Sequence, residues 1–366
     1  MKITLEGTSM RIALVSSWNA CCGVSIHAEL IGEALQRKGH TLRVLAPASY
    51  EDDGTRLIHA ADQPHVTRCY SFLRYGDRCS DIQLLDSLYF DTAPLLEESF
   101  DLVLVEKPTS IPLKPLKEAL PRLKEAGRLV AVLHEGTAPE NPFLGRVDWD
   151  AATIFDERYR RLFKGVIPDD RVHLAPFPCH PVERRPRSQA RDRLGLPRDA
   201  EVVFSYGGLG GYMPVIEAVA RLGEERDRLL YLLLAGAPQT YMELKNSLGE
   251  DGSVRILFGR PPTTALYDYL CASDALILHK RRPPHVAVSS TAHLCMGSLT
   301  PLLCNDTTHF EMLRGEVIKY RDSSDIEEKL RLILEGAASE VTTEARRYVE
   351  TNSADTVAEK LLELAG

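Results

Sequence analysis

Residues 276–305 read LILHKRRPPHVAVSSTAHLCMGSLTPLLCN. A short apolar run, Ala275 to Leu278, reads as a buried strand and breaks into three consecutive cations, Lys280, Arg281 and Arg282. A Pro-Pro turn follows, and Ser289, Ser290 and Thr291 then open a predicted helix that closes near Gly297, ahead of a second buried strand from Pro301 to Cys304. Strand, loop, helix and strand in that order form the unit of a parallel sheet with helical crossovers, and such sheets bind ligands at the carboxyl ends of their strands. A helix N-terminus presents unpaired N–H groups and a positive dipole end, so hydroxyls and cations gathered there make a candidate phosphate site. The same residues also fit a solvated basic turn followed by a plain N-cap.

The same unit recurs upstream. Arg11 to Ser16 is a predicted strand leading through SWNACCG into a helix from His27 to Lys38, with Gly39 as its C-cap and Leu42 to Leu45 as the next strand. Asp101 to Val105 is a third strand, followed by Glu106 and Lys107. A helix from Lys114 to Ala126 should end at Gly127, and Leu129 to Leu133 runs into His134-Glu135-Gly136. A His and a Glu just past a buried strand are candidates for chemistry, and a satisfied structural histidine is the other reading. Between Tyr50 and Glu98 the pattern weakens, with only a short helix near Leu84 to Leu88 in view. There Arg68, Arg74 and Arg78 interleave with Tyr70, Phe72 and Tyr75, which suits a phosphorylated or lipid-linked ligand, or simply a solvated helix face.

From Val172 to Arg187, VHLAPFPCHPVERRPR has the composition of a linker, and it places a domain boundary near residue 183. Beyond it, a strand from Glu201 to Tyr206 ends in Gly207-Gly208-Leu209-Gly210-Gly211, and a helix from Pro214 to Leu222 follows. These glycines allow close backbone approach, yet they match neither the P-loop nor the GxGxxG fingerprint. Further strands at Leu230 to Leu234 and Val254 to Phe258 end at Ala235-Gly236 and Gly259-Arg260, and a helix spans Thr263 to Ala272. Helices from Ser324 to Leu334, Thr343 to Thr351 and Ala354 to Leu364 complete the pattern.

At 366 residues, two hydrophobic cores are the expectation. A net charge of −8 argues against a nucleic-acid-wrapping surface and leaves room for a local basic pocket. No apolar run approaches a bilayer span and MKITLEGTSM lacks a signal-peptide core, so a cytoplasmic protein is expected, with peripheral contact at the inner membrane face left open. Eight cysteines, most in apolar runs and none with paired zinc spacing, fit that compartment, and no metal site is expected. Cys21-Cys22 is the unusual pair, since adjacent cysteines rarely form an unstrained disulfide.

Two α/β halves joined by a Pro-rich linker resemble the GT-B glycosyltransferases, in particular the retaining family 4. The residues that carry the likeness are Cys22-Gly23 in the first loop, Gly39-His40 after the first helix, and the strand ending in His134. Arg191 to Pro197, Phe258-Gly259-Arg260, Leu266 to Leu270 and Ala272-Ser273-Asp274 continue it through the second half. The resemblance implies two Rossmann-like doubly wound domains facing a central cleft: an acceptor domain over residues 1–182, a nucleotide-sugar domain over 183–350, and a C-terminal helix over 351–366 packing back on the first domain. It implies transfer from a UDP- or GDP-sugar to a hydroxyl of a saccharide, lipid-linked or small-molecule acceptor with retention, without a metal or other cofactor. By position His134 would meet the sugar near the reacting centre, Gly23 would let the backbone approach the phosphate or acceptor, Gly208 and Gly210 would be donor-binding, and Arg260 would lie near base and ribose.

The departures from that family fall at one place. GGLGGYMP lacks the family's Arg and Lys for the diphosphate, and no acidic residue stands between Leu278 and Asn305, where its pair of glutamates should fall, the second near His293 or Leu294. In one reading Lys280, Arg281 and Arg282 replace those cations, with Ser289, Ser290 and Thr291 as phosphate donors. In another the chain is a catalytically silent partner of a transferase. A sugar-nucleotide epimerase would need carboxylates to move protons, and Glu106 and Glu135 are the isolated ones available. A plain dehydrogenase lacks its glycine fingerprint in both halves.

Overall fold

The computed structural model describes residues 9–49, 51–52, 55–56, 58, 60–72, 85, 88–139, 141–248 and 253–366. Two compact units meet in sequence at Pro178/Cys179, and the segment from Ala354 onward belongs to the first. In the first unit the continuous apolar runs become fully buried strands, as a parallel sheet covered on both faces requires. Its elements are β1 (Arg11–Val15), β2 (Thr41–Pro47), a two-residue antiparallel pair β3 (Glu51–Asp52) and β4 (Thr55–Arg56), β5 (Val66–Tyr70), β6 (Leu102–Glu106), β7 (Arg128–Val132), β8 (Ala151–Ile154) and β9 (Val172–Leu174). Seven strands pair in the order β5-β2-β1-β6-β7-β8-β9, every neighbour parallel.

Helix α1 (Gly23–Arg37) buries His27, Ala28, Ile31 and Leu35 on one face, and Gly39 closes it at φ +88°. It starts before the expected His27, because Cys22 caps it by accepting the Ser25 N–H at 3.4 Å and its first turn carries no apolar period. The final helix, Ala354–Glu363, packs on α1 through Val357, Ala358 and Leu361, with Arg37 paired to Asp355 at 3.0 Å and Lys38 to Glu359 at 2.5 Å. Gly127 does not end its helix, which stops at Leu123. A Cβ there would stand 2.1 Å from the Phe100 carbonyl oxygen, so the glycine answers to close backbone packing instead.

Of the strands that escaped the sequence pattern, three did so for visible reasons. β5 contains Arg68, which is strand and not helix; its guanidinium bonds Asp62 at 2.7 Å and the Pro47 carbonyl at 3.0 Å. β8 is four small residues, and β9, three residues long with two exposed, occupies the start of the expected linker. Arg74, Tyr75, Arg78 and most of the expected helix near Leu84 to Leu88 lie outside the described residues.

The second unit repeats the plan with β10 (Glu201–Gly207), β11 (Leu229–Ala235), β12 (Val254–Phe258), β13 (Ala275–Leu278), β14 (Leu302–Asn305) and β15 (Ile318–Tyr320). They pair in parallel in the order β12-β11-β10-β13-β14-β15. Helix α2 (Met213–Glu225) presses Val215, Ile216 and Val219 onto Val203, Tyr231, Leu233 and Ile277. Helix α3 (Ser290–Met296) follows the basic loop. The expected boundaries hold at β13 and at the helix Thr263–Ala272 to the residue. In each sheet the strand order reverses once, between β1 and β6 and between β10 and β13. Those reversals open crevices at the carboxyl ends of the strands, where α/β sheets take ligands. No described helix is long and apolar enough to cross a membrane.

Candidate functional site

The second unit's reversal brings the glycine loop after β10 against the basic loop after β13. Gly211 takes φ +83°, and a Cβ there would stand 3.2 Å from Arg281 Nε. Gly207, at φ +99°, faces Thr291, whose Oγ1 would lie 3.9 Å from its Cβ. Gly236 N–H donates to the Gly207 carbonyl at 3.4 Å, and Arg260 Nε donates to the Gly236 carbonyl. Thus Gly207, Gly211, Gly236, Arg260, Arg281 and Thr291 come from five separate segments into one neighbourhood. Among the described residues nothing stands within 4 Å of a Cβ at Gly208 or Gly210, which leaves that side of the loop open.

A buried polar network sets the start of the basic triplet. Ser205 Oγ bonds Tyr231 Oη and the Ile277 carbonyl, both at 2.8 Å. Tyr212 Oη donates to the same carbonyl at 3.2 Å and accepts the His279 N–H at 2.8 Å, and His279 Nδ1 meets Tyr320 Oη at 2.7 Å. Asn305 brackets Lys280, accepting its N–H at 3.0 Å and donating to its carbonyl at 2.7 Å. Lys280 is largely withdrawn from water, and burial lowers its pKa below the ordinary lysine value. Arg281 and Arg282 are exposed, the latter donating to the Asp306 carbonyl at 3.2 Å. Among the described residues none of the three pairs with a carboxylate. Tyr212, Asn305 and His279 were not singled out from the sequence, although a serine inside the apolar run of β10 was a signal that polar partners lay beneath.

The hydroxyls divide. Ser289 is an N-cap, its Oγ accepting the Ala292 N–H at 3.2 Å, as the plain reading of that position holds. Ser290 begins the helix half-buried, and Thr291 faces the glycine loop. His293, near which the family's second glutamate would fall, is buried; Nδ1 lies 2.8 Å from the Ser289 carbonyl and Nε2 3.2 Å from Tyr348 Oη. Burial pushes its pKa down to about 4.

The reversal in the first unit holds a different group. Gly23 is the first residue of α1, one turn before His27. Glu106 ends β6 with its side chain wholly buried between two imidazoles: His27 Nδ1 lies 2.8 Å from Oε1, and His134 Nε2 lies 3.3 Å from Oε2. The first contact is a hydrogen bond and the second is not aligned as one. Ser16 Oγ donates to Oε2 at 3.3 Å. Burial acts to raise the Glu106 pKa, and the imidazoles outweigh it, holding the carboxyl at about 2. Burial drives His134 down to about 4 against the pull of Glu106. The His134 side chain is 7% exposed, packed edge-on against Phe155 and His27. Glu135 points elsewhere: Oε1 accepts the Thr109 N–H at 3.1 Å and its hydroxyl at 2.7 Å, and burial raises its pKa.

No family model matches the chain. Solved structures do resemble it over nearly their whole length. Sucrose-phosphate synthase from Thermosynechococcus elongatus superposes with a TM-score of 0.69 at 16% identity, covering 97% of this chain and 98% of its own. The HepE protein of Anabaena, in complex with UDP and glucose, gives 0.65 at 14%, covering 97% and 98%. A putative UDP-N-acetylglucosamine 2-epimerase from Listeria monocytogenes gives 0.61 at 14%, covering 97% and 95%. The chain therefore has the GT-B fold: two parallel-sheet Rossmann-like domains of seven and six strands.

Proposed function

We propose that this protein is a glycosyltransferase that takes its sugar from a nucleoside diphosphate sugar, UDP- or GDP-linked, and passes it to a hydroxyl acceptor with retention. The observation that carries the reading is the meeting of Arg281 with Gly211 at a sheet reversal, beside Lys280 and without a competing carboxylate among the described residues. In this reading the diphosphate lies over the open side of Gly208 and Gly210. Lys280 and Arg281 offset the charge that grows on the leaving phosphate, Arg282 and Thr291 add donors at the rim, and Arg260 lies toward the base. These cations replace those missing from GGLGGYMP, and the diphosphate needs no metal. Gly23 and His134 are assigned to the sugar and acceptor side. Its retaining course follows from front-face attack, in which the leaving phosphate accepts the acceptor's proton.

The test is nucleoside diphosphate release from a panel of UDP- and GDP-sugars, with NMR of the product's anomeric centre. Release with one donor, abolished by Arg281→Ala, supports transfer, and an inverted product removes retention alone. A second reading, a binding protein without transfer, is favoured by the absence of any acidic residue between Leu278 and Asn305. Its mark would be nucleotide binding without release of diphosphate for any donor and acceptor.

A further inference from the structure

Glu106 is a fully buried carboxylate flanked by two nitrogen donors, and the three come from separate places: α1, the end of β6 and the second residue after β7. One donor atom from each of His27, Glu106 and His134 falls within a sphere where all lie less than 4.8 Å apart. No contiguous motif announces this set, because positions 27, 106 and 134 meet only through the sheet order. A buried carboxylate demands a positive partner. A proton on His27 satisfies the 2.8 Å contact with Oε1 and leaves His134 Nε2 without an aligned hydrogen-bond partner among the described residues, its side chain more than nine-tenths buried and 3.3 Å from Oε2. A cation between the rings answers for both.

We propose that His27, Glu106 and His134 bind one divalent transition-metal ion, with Zn²⁺ as the reference species. Two imidazoles and one carboxylate are a donor set such ions prefer. First-row ions sit roughly 2.0–2.2 Å from nitrogen and oxygen ligands, so neighbouring ligand atoms of one ion stand roughly 2.8–3.5 Å apart. The contacts of 2.8 and 3.3 Å fall in that range. Phe155 and Phe177 wall the group, and Ser16 Oγ orients the carboxylate, as outer hydrogen bonds do around bound metals. Bound there, the ion ties the start of α1 to the carboxyl ends of β6 and β7, the three elements at the first sheet's reversal. The site does not depend on the transferase reading, since it needs neither donor nor acceptor.

The test uses the full chain, stripped with chelator and titrated with Zn²⁺ followed by melting temperature, and with Co²⁺ followed by visible absorption. One equivalent of either metal, a rise in melting temperature and an intense four- or five-coordinate Co²⁺ spectrum are expected. His134→Ala should weaken binding at least tenfold, whereas His173→Ala, at an exposed histidine of β9, should leave it unchanged. Should His134→Ala fail to fold, the wild-type Co²⁺ spectrum decides: a pale six-coordinate spectrum belongs to surface imidazoles and overturns the proposal. So does a chain that takes up no metal, or one in which His173→Ala abolishes uptake while His134→Ala does not.

Discussion

Arg281 lies across Gly211, so close that a Cβ on the glycine would stand 3.2 Å from the arginine Nε. That contact joins two loops 70 residues apart in sequence and gives the glycine run a purpose its spacing alone does not state. Gly211 also sits at φ +83°, where a side chain is strained. Gly211→Ala should therefore cost about 1 kcal/mol or slightly more in stability and displace Arg281. Urea unfolding together with nucleotide titration checks this, and unchanged binding would separate the glycine from the site.

Tyr212 ties the end of β13 in two directions, through the Ile277 carbonyl and the His279 N–H. Tyr212→Phe removes the acceptor of the His279 N–H and one of two hydroxyl donors to the Ile277 carbonyl, which keeps Ser205 Oγ, at a cost of roughly 1–3 kcal/mol. Since His279 precedes Lys280, nucleotide affinity should fall as well. A Phe variant that loses stability and keeps full affinity would show that the network supports the core alone.

His293 is held neutral, its pKa moved by burial from 6.5 to about 4. The folded state thus binds fewer protons than the unfolded one between those values. Stability from this residue is present above about pH 6.5 and is lost as pH falls toward 4, by roughly 3 kcal/mol. Glu29 acts in the opposite sense over much of the same range, because burial raises its carboxyl from 4.5 to about 7, where folding favours the protonated form. Comparing wild type with His293→Gln by urea unfolding at stepped pH isolates the histidine. The variant should show the flatter acid slope, and equal slopes would contradict the account.

Gly127→Ala puts a Cβ within 2.1 Å of the Phe100 oxygen and 2.5 Å of the Asp101 oxygen, both backbone. Neither can swing aside, so a loss of about 3 kcal/mol or more is expected, read as a lowered urea midpoint. A neutral variant would mean that the β6 entry can move.

Where one physical effect dominated, the sequence was readable. β13, buried on both faces, and the helix Thr263–Ala272 appear at their expected residues because apolar periodicity and flanking polar residues coincide there. β5 was hidden by Arg68, whose charge is neutralised by a carboxylate six residues away, a fact of three dimensions. The basic triplet stood out as charge breaking an apolar run. Its supports, Tyr212 and Asn305, did not, since a tyrosine or asparagine gains meaning only from the carbonyl it reaches. Likewise His134 was visible as a histidine past a strand, but its partners His27 and Glu106 depend on strand order, which no local pattern encodes.

The central claim is that the loops at Gly211 and Arg281 hold a nucleoside diphosphate, and thermal-shift titration with UDP, GDP and ADP, without and then with magnesium, tests it most directly. At about 100 times its dissociation constant a ligand that binds only the folded state stabilises by roughly 2.7 kcal/mol, a shift of a few degrees. The account expects one diphosphate to raise the transition without metal, and Lys280→Ala or Arg281→Ala to abolish the rise. No shift with any of the three, or a shift that survives both substitutions, would contradict it.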